Sequence, residues 1–341
     1  MASLQLPIRR RTALGLLLAA LPCAVAADAA AALIGTTPAL ADHRQTAPKM
    51  AWWGSSTMER VSPELVQLAR TYGLEYFNGG AGGQTAEQIL ARLGSRPALM
   101  AGGTIPSSGP VVLSTPTLSA AGGAPFAAAG TLAGIPGTLT KPQGQQRGYT
   151  FQRSQPGRPA RIPAGTPFIP AKGREFRSGI NHLNIGKNNL TGKRIGEADP
   201  DTILGWTYEA HDWLAAGSQR ILVWGHFVNT GTPESSSIRK HIRHINDGLK
   251  ARYGPRYLDL SDLLTHPGVW DITGIQPTAE DLRQQALGNK PPSLSRDAAH
   301  LNAAGYRALR HILEQRLGEL AWLPPARDRT APQFAAGKTA G

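Results

Sequence analysis

Four short stretches carry groups that could act together on an ester. Gly54-Ser55-Ser56-Thr57 follows the apolar run 50–53 and precedes a helical pattern, so its serines sit at a strand-to-helix turn. Such a turn presents a hydroxyl at the carboxyl edge of a parallel sheet, where open α/β sheets put their ligand sites, and beside the N–H groups that start a helix. Asp297-Ala298-Ala299-His300 supplies what a serine nucleophile needs. The imidazole is a base, and the carboxylate three residues before it can fix its tautomer and orientation. Gly82-Gly83-Gln84-Thr85 lets a backbone N–H approach a ligand, and Gly186-Lys187-Asn188-Asn189 brings an amide to another strand end. Alone, each has an ordinary structural explanation: a serine turn, a helix cap, a glycine turn, an asparagine-rich loop. Combined, they are the parts of an acyl-transfer site.

The elements that must position these groups read as strands alternating with helices. Residues 50–53 and 74–77 are strand candidates, with apolar residues at helical spacing over 63–72 and again from Thr85. After a long interruption, strands are expected at 181–185, 220–224 and 256–260. Helices are expected at 202–216, behind an Asp199-Pro200-Asp201 start, at 236–253 and at 302–317. Strands separated by helices of this length imply a mostly parallel sheet covered on both faces: an α/β fold of three α/β/α layers, flavodoxin-like.

The interruption, 97–178, changes character. It is rich in Gly, Pro, Thr and Ser, with β-prone runs at 110–115, 148–153 and 160–163 and a Gly-Thr-Leu echo at 130–132 and 137–139 that suits a tight hairpin. An unstructured loop of this length is unusual inside a compact domain, so the segment reads as a β-rich insertion. It holds eight Lys or Arg against the single acid Glu175. Two roles fit that charge: a grip on an anionic polysaccharide, or a packing module.

The four stretches occur in the order serine, glycine, asparagine, aspartate–histidine, and this order resembles the SGNH (GDSL-like) hydrolase superfamily. Gly54-Ser55-Ser56-Thr57 is similar to the family's Gly-Asp-Ser-Leu block, with Ser56 in the nucleophile position. Residues 78–85, with Gly83, resemble the second block, and Gly186-Lys187-Asn188-Asn189 the third. Asp297-Ala298-Ala299-His300-Leu301-Asn302, followed by Gly305-Tyr306, resembles the last and is the most specific match. The resemblance covers 49–96 and 179–318. It implies a Ser56–His300–Asp297 triad, an oxyanion hole from the Ser56 and Gly83 N–H groups and the Asn188 side chain, and no metal or organic cofactor. Two positions depart from the pattern: Ser55 and Asn189 stand where the family usually has aspartates. Ser55 is also a rival hydroxyl.

The ends and the charge bound the rest. Arg9, Arg10 and Arg11, the apolar run 13–20 and Ala24-Val25-Ala26 read as a signal peptide over 1–26, followed by a flexible leader over 27–48. The hydrolase domain is expected over 49–96 and 179–325, with a disordered tail at 326–341. No apolar run reaches the length of a membrane span. Cys23, the only cysteine, lies in the signal, so an exported mature chain would rest on its core rather than on disulfides. The formal charge of +13 favours anionic partners. Nucleic acid is disfavoured, because neither zinc-finger spacing nor an aromatic-interleaved basic motif occurs. Expected partners are an ester substrate and an anionic or O-acetylated polysaccharide, outside the cytoplasm. An O-acyltransferase with the same triad and a non-catalytic glycan-binding module are the rival readings. His226 reads as structural or substrate-contacting, and His241 and His244 as part of a solvated basic helix face.

Overall fold

The computed structural model describes residues 47–118, 124–142, 144, 148–190 and 199–325. The expected signal peptide, nearly all of the leader, and the tail therefore lie outside the described residues.

The chain opens with β1 (Lys49–Gly54), α1 (Ser56–Arg60), α2 (Ser62–Thr71), β2 (Glu75–Gly80) and α3 (Ala86–Leu93). Eight short strands follow: β3 (Ala98–Met100), β4 (Gly103–Ile105), β5 (Pro110–Leu113), β6 (Phe126–Leu132), β7 (Ile135–Lys141), β8 (Tyr149–Arg153), β9 (Ala160–Ile162) and β10 (Thr166–Pro170). The alternation then returns with α4 (Ala171–Phe176), β11 (Ile180–Asn184), α5 (Pro200–Ala215), β12 (Ile221–Trp224), α6 (Ser237–Tyr253) and β13 (Tyr257–Leu258). Helices α7 (Leu260–Thr265), α8 (Val269–Thr273), α9 (Ala279–Ala286) and α10 (Ala303–Glu319) complete it.

The main sheet has the order β13-β12-β11-β1-β2 and every pairing in it is parallel. The period-2 geometry of β1 explains why it is apolar throughout. Met50 and Trp52 face one helical layer with Leu65, Leu68, Leu309 and Leu313, while Ala51 and Trp53 face the other with Ile89, Leu90, Ile245 and Leu249. This is the three-layer α/β fold expected from the sequence. The chain leaves β1 for β2 on one side and returns to β11 on the other. The direction therefore reverses between β1 and β11, the crevice where such sheets bind ligands.

The insertion folds on itself. A six-stranded sheet, order β3-β10-β6-β7-β8-β5, and the β4–β9 pair enclose a third core of Phe126, Leu139, Tyr149, Phe151 and Phe168. The Gly-Thr-Leu echo is the β6–β7 hairpin, with Gly130 opposite Gly137 and a turn through Ala133 (φ 50°) and Gly134 (φ 76°). Positive φ at both central residues is the turn whose twist suits a hairpin. Ala91 of α3 belongs to this third core, so the insertion is packed onto the helix that follows Gly83.

Two strands differ from expectation. β2 runs on to Gly80, because Gly79 and Gly80 stay in register with Trp53 and Gly54. β13 stops at Leu258, because the Asp259 carboxylate accepts the Asp262 N–H at 3.0 Å and starts α7. The end of β2 also sets where α1 lies. A Cβ on Gly80 would lie 2.2 Å from the Glu59 N and 2.5 Å from the Met58 carbonyl carbon, backbone atoms with nowhere to swing. Gly80→Val should lower stability by about 1–3 kcal/mol, the usual range for overpacking, in urea denaturation. A wild-type midpoint would show that α1 is not seated against β2.

Candidate active site

Ser56 is the first residue of α1, delivered by the carboxyl end of β1. His300 arrives on the loop before α10, and its Nε2 lies 3.0 Å from the Ser56 Oγ. The His300 Nδ1 lies 2.8 and 2.9 Å from the two Asp297 carboxylate oxygens. An ionised carboxylate only accepts, so Nδ1 carries the hydrogen and Nε2 of the neutral ring is left to accept from the Ser56 hydroxyl. Asp297 Oδ1 also accepts the Ala299 and His300 backbone N–H groups, each at 2.9 Å. The three-residue spacing is thus a tight Asx-type turn that brings both side chains to the same side. Partial burial disfavours the ionised Asp297, but the His300 and Ala299 hydrogen bonds outweigh it and hold the carboxyl at about 2. Ser55, 5 % exposed, is the N-cap residue of α1, and the imidazole bond goes to its neighbour.

Two of the expected oxyanion groups, Gly83 and Asn188, lie close to each other through Gln84. Gly83 has φ 73°, a conformation that favours glycine. The Asn188 amide lies in a short 3₁₀ turn, Lys187–Leu190, after β11, and donates to the Gln84 carbonyl at 2.8 Å. Asn188 is thereby held against the Gly83 turn. Asn189 faces away: it accepts the Ala86 N–H at 2.8 Å and donates to Glu87 at 3.0 Å, fixing the start of α3.

Buried cations that sequence reasoning missed support both halves. Arg92 of α3 donates to the Gly79 carbonyl and to Gln84 Oε1, both at 2.7 Å, and weakly to the Gly54 carbonyl at 3.5 Å. Burial pulls its guanidinium down to about 10, with the Glu59 charge opposing, so it stays charged at neutral pH. The signal was present: Arg92 sits among Ile89, Leu90 and Leu93 on an apolar helix. Lys290 donates to the Ser295 hydroxyl, to the Asp297 carbonyl at 2.9 Å and to the His300 carbonyl at 3.1 Å. Burial lowers its amine to about 8, against the pull of Asp297. Nothing around Asn289-Lys290-Pro291 marks it in the sequence. Lys187 stacks over the Phe227 ring at 3.5 Å, and burial, aided by the Lys290 charge, lowers it to about 7.

Other candidates fall outside the site. Trp53 is fully buried and donates to Asn181 at 3.0 Å. His226 lies near the sheet edge but is 1 % exposed, and accepts from Asn184 at 3.2 Å while donating to the Ile185 carbonyl at 3.0 Å. Burial lowers it to about 4, which keeps it neutral. His244 has an acidic partner after all: Asp201 of α5 lies 2.7 Å from its Nε2. That pair is exposed, and no cluster of three metal-ligating side chains occurs among the described residues. No helix among them is long and apolar enough to cross a membrane.

No protein-family model matches the sequence, and no curated protein matches it. Among solved structures the chain is similar to a GDSL-like lipase from Bacteroides thetaiotaomicron, at 11% identity, with 80% of this chain and 89% of that one covered and a TM-score of 0.45. It is also similar to an acetyl xylan esterase, at 12% identity, with 80% of this chain and 98% of that one covered and a TM-score of 0.41. The likeness is one of fold.

Two measurements test the right-hand half of the site. Asp297 is depressed from 3.8 to about 2, so the stability it contributes is complete above about pH 4 and is lost as pH falls toward 2. Asp297→Asn keeps the turn and should flatten that part of the acid-unfolding curve; an unchanged acid limb would contradict the assigned hydrogen bonds. Lys290→Met would remove the donor to the Asp297 carbonyl and one of the partners of the His300 carbonyl and the Ser295 hydroxyl, and should cost about 1–3 kcal/mol in urea. A neutral effect would mean the loop is held elsewhere.

Proposed function

We propose that this chain is an exported serine esterase of the SGNH type that removes acyl groups, acetyl foremost, from a carbohydrate. The observation that carries this reading is the Ser56–His300 contact at 3.0 Å with Asp297 on the opposite ring nitrogen at 2.8 Å. The Ser56 hydroxyl attacks the ester carbonyl as His300 takes its proton. Asp297 steadies the imidazolium, and the leaving alcohol departs with that proton. The tetrahedral oxyanion is met by the Ser56 and Gly83 N–H groups and the Asn188 amide. Water then attacks the acyl-Ser56 carbonyl, with His300 again as base, and the acid leaves.

The solvent exposure of the site supports hydrolysis of a bulky polar substrate. The His300 side chain is 21% exposed and that of Asp297 47%. Water can reach an acyl-enzyme there, and so can one residue of a polymer. The leading basic and apolar residues favour export, and a polysaccharide outside the cytoplasm suits an exported esterase.

The decisive experiment compares p-nitrophenyl acetate hydrolysis by the wild type, Ser56→Ala and Ser55→Ala, with a serine-reactive phosphonate as label. Turnover and labelling should vanish in Ser56→Ala, with a loss of at least about 10⁴-fold, and persist in Ser55→Ala. Full activity in Ser56→Ala would remove Ser56 as the nucleophile.

A further inference from the structure

The basic insertion is a poor grip for an anionic polymer, because much of its charge is used within the fold. Lys141 is buried beside the Tyr149 ring. Arg153 donates to the carbonyls of Gln155, Pro106 and Arg158 at 2.7, 2.8 and 3.1 Å. Lys172 pairs with Glu175 at 2.8 Å, and Arg177 stacks on Trp213 and donates to its carbonyl. Arg158, Arg161 and Arg174 remain, with no such partner among the described residues.

Better-placed cations flank the triad. A cleft of about 480 Å³ lies between α1 and the start of α10. Its walls are the sequence neighbours of the reacting groups: Arg60 stands one turn beyond Ser56, and Arg296 and Leu301 bracket the Asp297–His300 turn. Among the described residues, neither Arg60 nor Arg296 has an ion-pair or hydrogen-bonding partner for its guanidinium, and the Arg60 Nε is buried without an acceptor. The acids nearby are engaged in part. The Glu59 charge acts on buried Arg92, and Glu64 lies 3.6 Å from Arg310. Pro63 and Ala303, both exposed, add apolar surface over buried Leu301 and Tyr306, which suits the C–H face of a sugar ring. Through Glu64 the cleft adjoins a second one of about 360 Å³ along α2 and α10, where Arg310 is paired with Glu64 and Glu314 at 3.6 and 3.9 Å and Arg307 adds a further guanidinium. Together they form a path of mixed charge that starts beside the Asp297–His300 turn and runs away from it.

We propose that this path is the glycan subsite and that it takes a polysaccharide of acidic sugars, with Arg60 and Arg296 reading the carboxylate next to the acylated residue. The inference rests on the esterase reading above for what happens to the ester. A guanidinium fork matches a carboxylate through two parallel N–H bonds, and Arg60 and Arg296 have theirs unbonded in a cleft whose own acids, Glu59 and Glu64, act on Arg92 and Arg310. The mixed polar and apolar walls suit a sugar better than an acyl tail.

The test measures kcat/KM on an O-acetylated uronic-acid oligosaccharide and on an O-acetylated neutral xylo-oligosaccharide, for the wild type, Arg60→Met/Arg296→Met and Arg296→Lys. The wild type should prefer the acidic substrate, and the preference should weaken as salt rises. The double methionine variant should reduce the acidic-to-neutral ratio by about tenfold, mainly through KM, as expected for lost charge-assisted hydrogen bonds. Arg296→Lys should fall between. A ratio that stays constant across the variants, or a wild type that prefers the neutral substrate, would overturn the proposal. If the wild type turns over neither sugar nor p-nitrophenyl acetate, the esterase reading fails on its own. The subsite is then tested by calorimetry with the de-acetylated uronic-acid oligosaccharide: binding that is lost in the double variant supports it. No binding, or binding only to phosphatidylglycerol vesicles, overturns it.

Discussion

The buried guanidinium of Arg92 is the contact on which the nucleophile side depends. Parallel strands end in carbonyls with no partner further along the sheet, and here those ends lie beneath α3, away from water. Buried carbonyls need donors. Arg92 reaches the Gly79 carbonyl and Gln84 Oε1 at 2.7 Å and approaches the Gly54 carbonyl at 3.5 Å. Gln84 then extends the network. Its carbonyl accepts from Asn188 at 2.8 Å, and its side-chain amide donates to the Pro125 carbonyl of the insertion at 2.7 Å. One cation thus fixes the relative positions of the serine turn, the Gly83 turn, the Asn188 loop and the insertion.

The acid–base side is built on a different cation. Lys290 gathers the Asp297 and His300 carbonyls and the Ser295 hydroxyl, so the turn that presents the imidazole is tied from beneath. The two halves meet at the 3.0 Å contact between Ser56 and His300. Acyl transfer tolerates little error in that distance, and a reacting pair is only as well placed as the groups that hold it. Two halves, each organised by a buried charge, fix the pair.

The fold was legible because its signals are local or periodic, and the grouping of Ser56 with Asp297 and His300 came from the order of the four blocks. The apolar run 50–53, the Asp-x-x-His spacing and the Asp199 cap each announce themselves over a few residues. What the sequence hid is long-range. Asp201 and His244 belong to different helices, so the acid next to that histidine was invisible on its own helix. Lys141 and Arg153 read as surface charge, yet one is buried beside Tyr149 and the other is spent on backbone carbonyls. Lys290 escaped notice because a buried cation is recognised by its acceptors, and two of these are backbone carbonyls, which every residue has.

The two departures from the family pattern make physical sense against these contacts. An aspartate in place of Asn189 could still accept the Ala86 N–H but could not donate to Glu87, and two carboxylates would face each other where Asn189 now bridges at 3.0 Å. An aspartate in place of Ser55 would bury a charge at a position only 5 % exposed, one turn from Glu59 on the same short helix. Arg92 already offsets the Glu59 charge beneath that turn. Neutral residues at both places therefore leave Asp297 as the carboxylate that sets the imidazole.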